Sequence, residues 1–128
     1  MIETEKKRLI RIDTELYKAS KIACAVQGIR MGAFAMVSAA NWSEQQGELH
    51  PGVKGSQQLS VPTYEDLDLK MRLRAASEPG GVSVGVAYGS ALALSVDTIY
   101  SAGRIHDVSI EAHNIVGEYL RSLQQKLG

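Results

Sequence analysis

The stretch whose reading decides the fold is "KKRLIRIDTELYKASKIACAVQGIRMGAFAMVSAANW", Lys6 to Trp42. Within it, Ile10 and Ile12 fall on one side of an extended chain, and Leu9 and Arg11 on the other. That alternation predicts a short strand over Lys7 to Ile12. Asp13 or Thr14 can then cap a helix, because a short side-chain oxygen accepts the free amide protons of a first turn. Leu16, Ala19, Ile22 or Ala23, and Val26 recur at helical spacing, and Gly28 is a natural stop. A second helical segment runs from Met31 to about Trp42, with Phe34, Val37 and Ala39 or Ala40 on one face. A solitary strand leaves its backbone N–H and C=O groups open. The sequence offers it no partner in its own chain, so the expected partner is the same strand of a second copy.

Beyond Trp42, residues 43–62 ("SEQQGELHPGVKGSQQLSVP") are rich in Gly and Pro, lack strong periodicity and read as a linker or loop. They separate an N-terminal unit, 1–42, from a C-terminal unit, 63–128. Thr63 to Asp66 resembles a capping box for a helix from about Tyr64 to Ala76. Val82 to about Ser101 is apolar; "VSVGV" alternates like a strand, yet the uninterrupted "AYGSALALSVDTIY" favours helix. Gly81, Gly85, Gly89 and Ala93 then form a stripe of small residues that lets another helix come close. A last helix, about Ile105 to Lys126, shows Val108, Ala112, Ile115, Tyr119 and Leu123 on one face. The predicted class is mostly α: a strand and two helices, then a three-helix unit. No internal repeat is evident.

A chain of 128 residues suffices for one domain or two very small ones. Formal net charge is zero, but its distribution is uneven. Residues 1–42 hold seven basic and four acidic side chains, 7 − 4 = +3, and the remainder carries 7 − 10 = −3. A basic head on an acidic body suggests an anionic partner for the head. The lone Cys24 excludes an intrachain disulfide and reads as a small buried hydrophobe. The most apolar run, Val82 to Val96, is shorter than the roughly 20 residues of a membrane span. With no signal-like segment, the expected location is cytoplasmic, without membrane contact.

"KRLIRID", "TELYKASKIA", "QGIRMG" and "AFAMVSAANW" together resemble the ribbon-helix-helix family of DNA-binding proteins, over about a third of the chain. The resemblance implies an intertwined homodimer whose paired N-terminal strands enter a DNA major groove. By that likeness Lys7, Leu9 and Arg11 would face the bases, with Lys6 beside them. Arg30, Met31 and Gly32 would bring the start of the second helix to a backbone phosphate. Ile10, Ile12, Phe34 and Val37 would form the dimer core. Arg11 can fork to a guanine, Lys7 can donate to a base or phosphate, and Leu9 can touch a thymine methyl. Three features depart from the family pattern: no serine or threonine stands at the start of the second helix, Arg8 stands where the inward face wants an apolar residue, and Leu9 where a polar reader is usual. A one-residue slip would exchange the two faces.

Nothing else in the sequence demands chemistry. His106 and His113, seven apart on one expected helix, lie two turns from each other, too far to share an ion without a bend. His50 has no assigned role. No serine sits on an elbow-like turn, and "GGVSVG" lacks the Lys-Ser/Thr of a phosphate loop. No catalytic residue, metal ligand or cofactor is expected, and Trp42 reads as a plug between the two units. The expected function is sequence-specific binding of double-stranded DNA by a homodimer or larger homo-oligomer. In the family such proteins are bacterial or plasmid repressors, antitoxins, partition factors or transfer-origin auxiliary proteins. The C-terminal helices would then oligomerise or hold a protein partner. The alternative is a small helical subunit of a larger assembly that never touches DNA.

Overall fold

In the computed structural model, which describes residues 5–127, the alternation of Lys7 to Ile12 produces a strand, β1 (Glu5–Ile12). Its partner is not a second copy. It is β2 (Gln57–Tyr64), from the same chain, paired antiparallel so that Glu5 faces Tyr64, Leu9 faces Ser60 and Ile12 faces Gln57. The expectation of an unpartnered strand is thereby corrected, and so is the reading of 43–62 as a linker. In "QQLSVPTY" the alternation Leu59, Val61, Thr63 is that of a strand. Pro62 masks it, since a proline cannot donate to a ladder; an edge strand tolerates it. Upstream, Pro51–Val53 forms a 3₁₀ turn that buries Val53, and the Asp13 amide donates to the Val53 carbonyl at 2.7 Å.

The mostly helical class holds, with five α-helices among the described residues. Helices α1 (Thr14–Gln27) and α2 (Met31–Glu44) follow β1; α3 (Glu65–Ala76) and α4 (Val84–Ser101) follow β2; α5 (Ile110–Leu127) closes the chain. The order is therefore strand–helix–helix twice over, a structural repeat that no sequence identity announces. The two units interlock. α2 packs on α4; α2 also lies against the second unit's strand β2, and α4 against the first unit's β1. One apolar core runs through both units, from Ile10, Ile12 and Leu16 through Trp42 to Leu59, Val61, Leu92 and Val96. Of the residues assigned to a dimer core, Ile10, Ile12 and Phe34 therefore belong to the core of one chain.

Local rules explain both ends of α1. The Leu16 amide donates to Asp13 Oδ2 at 3.2 Å, capping α1, and Gly28 ends it with φ 70°. The chain then turns by 95° into α2. The capping box expected at Thr63 is absent: Tyr64 occupies the cap position without a side-chain bond, and Thr63 is buried against the Tyr88 hydroxyl at 3.1 Å. The choice of helix for the apolar segment is correct, beginning at Val84.

Val37, placed in the core from its spacing with Phe34, is 48% exposed. The buried face of α2 is Phe34, Ala35, Ser38, Ala39 and Trp42, because small side chains permit the close approach to α4. Trp42 is buried and its Nε1 donates to the Glu48 carbonyl at 3.2 Å. Val108 is likewise exposed, because the chain leaves helical geometry there, between a 3₁₀ turn (Arg104–Asp107) and α5. α5 buries Val116, Tyr119 and Leu123.

Gly85 and Gly89 of α4 face β1 and the 3₁₀ turn rather than another helix. A Cβ on Gly85 would meet Ile10 at 3.6 Å, and one on Gly89 would meet Val53 Cγ2 at 2.7 Å and Ile12 Cγ2 at 3.4 Å. Gly81 lies outside the helix, at φ 69°. Opposite signs follow for one substitution. Gly89→Ala should lower stability by about 1–2 kcal/mol, because overpacking against buried Val53 outweighs the gain of about 1 kcal/mol in helix propensity. Gly85→Ala, at ordinary contact distance, should be neutral or stabilise by up to about 0.5 kcal/mol. Urea midpoints of the two variants check this.

Candidate nucleic-acid interface

The register of β1 against the core decides which residues face outward. Ile10 and Ile12 are buried, so Lys7, Leu9 and Arg11 are exposed, as the alternation requires. Leu9 is 60% exposed, an apolar side chain among the polar ones of this face. On β2, Leu59, Val61 and Thr63 turn inward and Gln58 and Ser60 outward, with Pro62 half-buried. The outer face of the ribbon thus consists of three cross-strand pairs: Lys7 with Pro62, Leu9 with Ser60, and Arg11 with Gln58. Among the described residues neither Lys7 nor Arg11 makes an ion pair. Gln58 and Ser60 were missed from sequence, for the reason that hid β2.

Arg8 has a different task. It points inward, as its parity demands, and meets Asp68 of α3. Its Nε donates to Oδ1 at 3.0 Å and its Nη2 to Oδ2 at 2.5 Å. Asp68 is fully buried, and it also accepts from the Tyr88 hydroxyl at 2.9 Å. Arg72 lies 3.2 Å from it, and Lys6 3.9 Å. A charge without water requires such a shell. The Arg8 hydrogen bonds hold the Asp68 carboxyl below the usual carboxylate range, against the opposing effect of burial. Lys6, expected beside the base readers, is instead drawn into this cluster, 3.1 Å from Glu65.

Both second helices begin at the flanks of the ribbon. Arg30 stands at the cap position of α2 and is exposed, its side chain making no capping bond. Met31 and Gly32 open the helix, and a Cβ on Gly32 would lie 3.1 Å from Pro62 Cδ, which seats this helix start against β2. A shallow hollow there is lined by Arg30, Gly32, Met36, Pro62 and Tyr64. Its counterpart at the start of α4 is lined by Leu9, Arg11, Lys54, Ser83 and Gly85. Lys54, exposed and without an ion pair among the described residues, is a cation the sequence did not single out. Gly32 and Gly85 both stand second in their helices.

Elsewhere the molecule offers less. His106 and His113, expected too far apart to meet, have ring centroids 3.7 Å apart, because the break before α5 folds one onto the other. The Tyr100 hydroxyl lies 3.2 Å from His113 Nε2. No group of three or more His, Cys, Asp or Glu among the described residues could hold a metal ion. Cys24 is buried, its thiol pushed up by that burial. No single helix among the described residues is long and apolar enough to cross a membrane. The Tyr119 hydroxyl is buried and makes no hydrogen bond among the described residues. Tyr119→Phe should therefore leave thermal stability unchanged or raise it by about 1 kcal/mol, which calorimetry can read.

Comparison with protein-family models, with curated proteins and with solved structures returned no match to this chain.

Proposed function

We propose that this chain binds double-stranded DNA through the outer face of its β1–β2 ribbon. The observation that carries the reading is the composition of that face: Lys7 and Arg11 without ion-pair partners among the described residues, beside Gln58 and Ser60. A two-stranded ribbon has the width to enter a major groove, and these side chains are donors and acceptors suited to base edges and phosphates. Arg30 and Lys54, at the flanking helix starts, add positive charge where the DNA backbone would run. The likeness to ribbon-helix-helix proteins supports the same reading, with one change: a single chain supplies both strands. Such a reader acts where DNA is, in the cytoplasm of a bacterial cell, as a regulator or accessory factor.

Fluorescence anisotropy with labelled duplexes at rising salt tests the proposal. The observed association constant should fall steeply as salt rises, by the release of counterions from neutralised phosphates. A chain that ignores duplex DNA at 50 mM salt would sink the proposal and leave the structural-subunit reading. That alternative has its own observation, a groove between α2 and α4 lined by Ile29, Val37 and Leu94, all partly exposed.

A further inference from the structure

We infer that one copy of the chain reads one duplex site, that this site lacks two-fold symmetry, and that its sequence information is concentrated at one end. The inference rests on the DNA-binding reading above and deepens it. The backbone is nearly symmetric. The ladder centres on Leu9 opposite Ser60, and each strand leads into its first helix with at most one residue between. Each second helix starts beside the other unit's strand, with glycine in its second position.

The side chains break that symmetry. Counting back from the helix that follows each strand, Arg11 corresponds to Pro62, Leu9 to Ser60 and Lys7 to Gln58. Antiparallel pairing then sorts the readers by end rather than by strand. Arg11 and Gln58 sit opposite each other near the start of α4, whereas Lys7 sits opposite Pro62 near the start of α2. Arginine forks to guanine and glutamine to adenine, so the first end discriminates bases. Lysine is a point charge and proline offers no donor, so the other end chiefly grips the backbone.

Arg8 makes the arrangement exclusive. The fourth residue of α3 is Asp68, and the fourth residue of α1 is Tyr17. Two copies pairing β1 with β1 would place Arg8 over the tyrosine position, without its carboxylate. The buried ion pair therefore selects the pairing within one chain over a symmetric pairing between chains.

Selection of duplexes from a randomised pool with the full chain, followed by native mass spectrometry of the selected complex, tests this. The expected result is a non-palindromic motif bound by one chain. Arg11→Ala should flatten base preference at one end of the motif, by about 10-fold or more for the preferred base, and Gln58→Ala should flatten an adjacent position. Lys7→Ala should weaken all duplexes alike, by about 3- to 10-fold. Circular dichroism melts should match the parent, since all three side chains are exposed. A palindromic motif occupied by two chains overturns the inference and leaves DNA binding intact. Salt-sensitive binding without any enriched motif does the same. Absence of any duplex retention overturns both.

Discussion

Arg8→Met should lower the unfolding free energy by about 2–3 kcal/mol. Breaking a buried ion pair with nothing left to compensate costs about 3–5 kcal/mol. Here Asp68 keeps Arg72 at 3.2 Å, Lys6 at 3.9 Å and the Tyr88 hydroxyl at 2.9 Å, so the loss lies below that range. The double variant Arg8→Met, Asp68→Leu should recover most of the loss, because a matched apolar pair also avoids an uncompensated charge. A double-mutant cycle in urea reads the coupling; a double variant no more stable than Arg8→Met would show that the pair does not act as a unit.

The same pair sets a pH dependence. The folded state depresses the Asp68 pKa, chiefly through the Arg8 hydrogen bonds. The stability this contributes is complete above the unfolded value of about 3.9, and is lost as pH falls from there toward the folded value. Arg8→Met should flatten the acid limb of the stability curve. At the alkaline end, burial raises the pKa of Tyr88 and Tyr119. Their contribution is complete below the unfolded value of about 10 and declines as pH rises beyond it.

The second large effect concerns binding. The double variant Lys7→Ala, Arg11→Ala should weaken the preferred duplex on the order of 100-fold at low salt, about 3 kcal/mol. A bidentate arginine contact supplies about 1–3 kcal/mol of this, and a lysine–phosphate contact the remainder. The slope of log K against log salt should become shallower by about one unit for each phosphate contact removed. An unchanged affinity in the double variant, with the fold intact, would move any DNA contact away from the ribbon.

The path from sequence to site was uneven for identifiable reasons. Lys7, Leu9 and Arg11 were legible as the outer face because strand parity is strict: once Ile10 and Ile12 are inside, their neighbours are outside. Gln58, Ser60 and Lys54 were not legible. Pro62 breaks the look of a strand, and Lys54 reaches the ribbon only through the 3₁₀ turn that buries Val53. Phe34 was placed correctly in the core and Val37 was not, because the buried face of α2 runs through Phe34, Ala35, Ser38, Ala39 and Trp42 and Val37 lies off it. The histidine pair shows the same limit. A separation of seven means two turns only in a continuous helix, and this one is interrupted.

What residue order alone settled is local: β1, the capped start of α1, the glycine that ends it, the helical nature of α4, and the side of β1 that is apolar. These follow from periods of 2 and 3.6 residues and from the backbone preferences of Asp and Gly, which need no distant partner. What only tertiary structure decided is pairing. β1 joins β2 because Arg8 finds Asp68 sixty residues away and because the apolar faces of both strands share one core beneath α2 and α4. Long-range choice of this kind depends on the free energy of burying one charge beside another, and no window of neighbouring residues contains it.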